Sequence, residues 1–117
     1  MTDDNLPAPH PVAEVDAHRP YITLVVMALS AQGVRAERSW MDPMGPIDAT
    51  IVLPGSIALV WDEWTGWNIG TYESGRQGER TVLRDKVKLA ADAKTAAADV
   101  ATMAVAELAA SFQFACV

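Results

Sequence analysis

Apolar residues recur along this chain at two different spacings, and the switch between them divides it into elements. After Pro20 the spacing is helical, with Tyr21, Leu24, Val25, Ala28 and Leu29 marking one face. Pro20 suits a first helical turn, where an amide hydrogen would lack a partner anyway, and Gly33 supplies a left-handed stop. Ile22, Thr23, Val25 and Val26 form a β-branched run that would also suit a strand. As a helix it is apolar nearly all round and needs cover on two sides.

Beyond Gly33 the period becomes two. Val34, Ala36 and Trp40 alternate with Arg35, Glu37 and Ser39, which predicts a half-buried strand up to Met41, with Arg38 out of place on its apolar face. Two prolines and a glycine make residues 42–48 a loop. Strands are predicted over residues 49–53, 57–61 and 67–72, turned at Pro54-Gly55 and between Asp62 and Gly66. Residues 73–80 form a polar loop. Residues 81–83 then add an edge strand, the alternative being an approach to the last helix.

That helix spans about residues 92–112, with Val100, Met103, Leu108 and Phe112 at helical spacing. Asp92 is its expected N-cap, and Asp92, Thr95, Asp99 and Thr102 form a polar stripe. The expected fold is α+β: an antiparallel four- or five-stranded meander with an N-terminal and a long C-terminal helix packed on one face. Residues 1–13 carry three prolines and no apolar period, so they read as a flexible leader to a single domain over residues 14–117.

Composition narrows the class. Half of the 117 residues are hydrophobic, which suits a globular core, and the net charge of −6 weighs against nonspecific nucleic-acid binding. A single cysteine, Cys116, cannot pair within the chain, so a reducing cytoplasm is the expected compartment. The acidic start lacks the features of a signal peptide, and the longest apolar run near the front is too short to span a bilayer. Abundant Ala, Val and Asp suggest a GC-rich bacterial genome.

Candidate chemistry gathers in WDEWTGW, residues 61–67, which holds three of the four tryptophans. In a hairpin closed there, Trp61 and Trp67 fall opposite each other and clasp the turn. The functional alternative is a ring-lined platform for a planar or sugar-like ligand, formed by Trp64, Trp67, Asp62 and Glu63. An exposed Trp64 would be its best marker. Adjacent carboxylates in a solvated turn lack the burial that splits an acid from a base, so Asp62 and Glu63 do not read as a glycosidase pair. His10 and His18 have no metal-ligand spacing around them, and Cys116 has no partner histidine in a telling context. No catalytic residues, metal site or cofactor are expected. Arg76, Arg80, Arg84, Lys86, Lys88 and Lys94 form a basic stretch that a nucleic acid could touch, though a solvated loop explains it equally.

The order of elements, the strand residues ATIVL, the block IALVWDEWTGW, the Trp-bearing strand at Ser39-Trp40 and the closing VATMAVAELA resemble a small uncharacterised bacterial family, a domain of unknown function (DUF6292). The resemblance covers about residues 19–112. It implies this α+β order but no activity and no site residues. Asp92-Ala93-Lys94-Thr95 stands where a proline-bearing lead-in to the last helix is expected. More loosely, the order is similar to secretion-chaperone-like folds, which dimerise and bind polypeptides.

The leading expectation is a non-enzymatic protein-interaction or regulatory module, a homodimer or the binder of a protein partner. Its surface would be Val100, Met103, Leu108 and Phe112. The alternatives are a small-molecule binder (or, failing that, a hydrolase) built on the hairpin, and a regulator that touches nucleic acid through residues 76–94.

Overall fold

Two glycine-closed turns and a buried aromatic pair organise the middle of the chain, and the helices close over one side of it. The structure, a computed structural model, describes residues 5–111. A short helix α1 (Ala13–Asp16) leads into α2 (Arg19–Ala31). Five strands follow: β1 (Arg38–Pro43), β2 (Ile47–Leu53), β3 (Ile57–Asp62), β4 (Gly66–Ser74) and β5 (Val82–Lys88). They form one antiparallel sheet in the order β1-β2-β3-β4-β5, and α3 (Ala97–Ser111) closes the domain. The α+β meander is therefore five-stranded. Ahead of α1, Pro7 is buried and the Ser39 hydroxyl donates to the Asn5 carbonyl.

Pro20 lies in the first turn of α2, and Gly33 ends it at φ +86°, as the sequence predicts. The buried stripe differs, however. It consists of Ile22, Val25, Val26 and Leu29, while Leu24 is exposed. Every face of this helix is apolar, so periodicity cannot choose among stripes one residue apart. The choice falls to Tyr21, whose hydroxyl donates to the Thr95 carbonyl (2.5 Å) and accepts from the Trp67 indole (3.1 Å). Those bonds hold Tyr21 at the margin of the buried stripe.

The first strand begins at Arg38, later than expected. Val34 and Ala36 are buried in the helix-covered core together with Met41, whereas Trp40 lies on the opposite face of the sheet. Arg38 is thus in its proper place, with its guanidinium 5.5 Å from the Trp40 ring and 5.5 Å from the Tyr72 ring. The expected loop 42–48 shrinks to its centre, because Asp42 pairs with Asp48 and Pro43 with Ile47. Pro43 is tolerated there because β1 is an edge strand.

β5 is longer than the predicted 81–83, and its charged residues Arg84, Asp85, Lys86 and Lys88 suit an unpaired edge. α3 starts at Ala97, so Asp92 is not its N-cap. The preceding segment is committed elsewhere. Trp67 donates its amide to the Ala91 carbonyl, Leu89 donates to the Trp67 carbonyl, and the Trp61 indole donates to the Ala93 carbonyl. Asp92 closes a local turn instead, accepting the Lys94 amide at 2.8 Å.

Trp61 and Trp67 stand directly opposite each other, and both are buried. They lie with Ile51, Leu53, Leu59 and Ile69 on the helix-covered face, against Val25, Leu29, Val100 and Leu108. Burying rings of this size supplies roughly 2–3 kcal/mol each. The other face of the sheet is left for a different cover.

Candidate functional site

Alternation along the strands puts Asp42, Asp48 and Asp62 on the helix-free face. The register aligns them in one row, with Asp42 opposite Asp48 and Asp48 opposite Asp62. Like charges directly opposite one another destabilise a sheet, so each carboxylate needs a physical account.

Two of them are satisfied from within the chain. Asp42 accepts the Gly78 amide at 2.9 Å. Asp62 closes the hairpin: it accepts the amides of Trp64 (2.9 Å) and Thr65 (2.7 Å) and also the Thr65 hydroxyl. Burial raises the Asp62 pKa, but these three bonds outweigh it and hold the group below its ordinary value. Asp48 differs. It is 7% exposed, and among the described residues its carboxyl receives no hydrogen bond beyond that of its own amide. Burial first, then the Asp42 carboxylate, pushes its pKa up to about 7, with Arg80 opposing the shift and Asp62 adding to it.

Residues 75–81 fold back over this face from the far side of the sheet. Gln77 donates to the Met41 carbonyl, Arg80 donates to the Met44 carbonyl at 3.1 Å, and the Thr50 and Thr81 hydroxyls share a bond of 2.6 Å. Thr50 is buried beneath this strap, and Trp40 and Val52 on the same face are buried as well. Beside it a cavity of about 410 Å³ remains, in the size range of small-ligand sites. Asp48, Asp62, Asn68 and Thr81 line it as polar groups, Val60 and Leu83 as apolar ones, with Arg80, Lys86 and Trp64 also in the wall. Gly70 lets β5 come close enough to form that wall, since a Cβ there would stand 2.9 Å from the Arg84 carbonyl oxygen.

The hairpin residues expected to bind a ligand separate in space. Asp62 and Trp64 line the cavity, and Trp64 is 72% exposed. Glu63 is taken up elsewhere: its carboxylate accepts the Ile47 amide at 2.7 Å, and its own amide donates to the Ile47 carbonyl. Trp67 is fully buried on the opposite, helix-covered face and offers nothing to this cavity. The surface expected on α3 is largely interior as well. Val100 and Leu108 are buried in the chain's own core, Met103 is half-buried, and Phe112 lies outside the described residues, as does Cys116.

The basic stretch is divided among local partners. Arg76 pairs with Glu79, Arg84 with Glu73 and Asp85, and the Lys88 ammonium reaches the carbonyls of Trp67 and Ala91. His18 packs at a tilt against Trp61 with ring centres 5.1 Å apart, and the His10 imidazole accepts the Val12 amide. No group of three or more metal-ligating side chains converges among the described residues.

Sequence reasoning missed Asp48, Asn68, Thr81, Arg80 and Lys86 as cavity residues. A signal was present in IDATIVL, where Asp48 and Thr50 interrupt an otherwise apolar strand on one face only. Such polar residues inside a buried strand need partners or a cavity.

The chain belongs to a family of unknown function (DUF6292), whose model matches residues 21–106. That span holds the whole sheet and the strap. No curated protein and no solved structure matches the chain.

Proposed function

We propose that the protein is a small-molecule-binding module whose ligand enters the cavity on the helix-free face of the sheet. The observation that carries this reading is Asp48, a largely buried residue whose carboxyl group opens onto the cavity wall and accepts only from its own amide among the described residues. A carboxyl group that faces a cavity with acceptor capacity to spare suits a ligand's donor. The exposed Trp64 indole beside it adds an aromatic surface that solvent alone does not favour. The reading is of binding rather than turnover. Asp42 and Asp62 are both held by hydrogen bonds from the chain, which leaves Asp48 without a free carboxylate to act as its acid or base partner.

Tryptophan fluorescence against a small-molecule library tests this. A binding hit should change the emission of the wild type, and Trp64→Ala should abolish the change. A response that persists in Trp64→Ala, or a library with no hits, would count against the cavity.

A second reading, self-association or the capture of a protein partner, is favoured by Leu24 and Met27, each 55% exposed on the outer face of α2. Sedimentation at micromolar concentration tests the first of these: a dimer that Leu24→Glu dissociates supports self-association, and a monomer removes it. With Arg76 and Arg84 held in ion pairs, the 76–94 stretch gives the nucleic-acid reading little support. No helix among the described residues is long and apolar enough to cross a membrane. The lone cysteine favours a reducing compartment such as the cytoplasm.

A further inference from the structure

None of the three aspartates in the row on the helix-free face forms an ion pair among the described residues. Asp42 and Asp62 draw hydrogen bonds from the Gly78 amide and from Thr65 and Trp64, but those donors are neutral. Three cations lie near the row. Arg80, in the strap, donates to the Met44 carbonyl, and among the described residues it makes no ion pair with Asp48. Lys86, on β5, is exposed at the cavity wall, and Lys88 leans on two backbone carbonyls beyond Asp62. Asp48 therefore sits between Asp42 on β1 and Asp62 on β3, with a cavity in front of it and Arg80 near enough to attract its charge but not ion-paired with it.

We propose that this cavity binds a small organic ammonium, whose N–H groups bond the Asp48 carboxylate while its apolar body lies against Val60, Leu83 and the Trp64 indole. The proposal rests on the reading of the cavity as a ligand site and names the ligand class. Charge is its first ground, since an ammonium relieves the repulsion among three aligned carboxylates. Hydrogen bonding is the second, because an ionised carboxylate only accepts and an ammonium only donates. The third is shape. The cavity has an apolar wall and an exposed indole able to take a cation over its face, but the converging oxygen cage that a bare metal ion needs is not found among the described residues.

Proton coupling follows from the same arrangement. The Asp48 pKa near 7 means that an incoming ammonium displaces a proton from part of the population at neutral pH. Affinity for an ammonium should therefore be about tenfold weaker at about pH 6 than at about pH 8.

The test uses three ligands that share a phenyl group, of positive, zero and negative charge, on the full chain: 2-phenylethylamine, 2-phenylethanol and phenylacetate, each titrated by calorimetry. The amine should bind in preference to the alcohol, lose about tenfold in affinity on acidification through that range, and lose both properties in Asp48→Asn. Asp48→Asn keeps the shape of the protonated acid, and its folding is checked by circular dichroism. If the alcohol or phenylacetate binds as well as the amine, the ammonium proposal falls while the cavity reading stands. If the amine binds equally well to Asp48→Asn, the proposal falls through its central contact. If none of the three binds, the ammonium proposal falls, and the cavity reading stands or falls on the library screen.

Discussion

Asp48 is a carboxylic acid whose ionisation opposes folding. Its pKa is about 7 in the folded chain against an ordinary value of 3.8, so between those limits the folded state binds more protons than the unfolded one. Stability then falls as pH rises from about 4 to about 7 and levels off above that. With solvent in the cavity screening the charge, the loss amounts to roughly 2 kcal/mol. Asp48→Asn removes it, so thermal melts should show the variant several degrees more stable than the parent near pH 8 and nearly equal near pH 5. An equal gain at both pH values would mean that burial of charge is not what Asp48 contributes. Gly66 constrains the β3–β4 hairpin sterically. It holds φ +89°, and a Cβ would stand 2.4 Å from the Ala91 carbonyl oxygen. Gly66→Ala should cost about 2–4 kcal/mol in urea denaturation, through left-handed strain plus a backbone clash. Gly45→Ala, with φ +52° and open space around it, should cost only about 1 kcal/mol.

At the scale of elements, the β3–β4 hairpin divides its aromatic residues between two tasks. Trp61 and Trp67 point to the helices and bond the Ala93 carbonyl and the Tyr21 hydroxyl, so they fasten α2 and the approach to α3 onto the sheet. Trp61→Phe should destabilise by roughly 1–3 kcal/mol, because it leaves a gap and an unpaired carbonyl. Trp64→Ala should change stability by no more than about 0.5 kcal/mol, since that ring touches mostly solvent. Tyr21→Phe and Trp67→Phe share one hydrogen bond, so a double-mutant cycle should return a coupling of about 0.5–1.5 kcal/mol, and strict additivity would deny the link. The hairpin was legible in the sequence because its alternation, its glycine and its paired rings agree. The face of α2 was not legible, since Leu24 and Ile22 are equally apolar and only the Tyr21 contacts, which are remote in sequence, decide between them. The start of α3 was hidden for the same reason: Asp92 looks like a cap locally, but the Ala91 and Ala93 carbonyls on either side of it are bonded to the two tryptophans.

For the molecule as a whole, the sheet has one face for stability and another for chemistry. The helices consume the apolar residues of the first face, including Val100 and Leu108 on α3, which from sequence alone looked free for a partner. On the second face the strap of residues 75–81 covers one end and leaves the cavity at the other. That cavity was the least legible feature. Asp48, Asn68 and Lys86 come from three separate strands, and only the register and the bulged course of β5 bring them to one place. The central claim is that ligand recognition belongs to this helix-free face. Its most direct test is an amide chemical-shift map of the isotope-labelled protein titrated with 2-phenylethylamine near pH 8. The account predicts saturable shifts concentrated at Asp48, Thr65, Asn68, Thr81, Leu83 and Lys86, whereas shifts centred on Leu24 and Met27, or none at all, would contradict it.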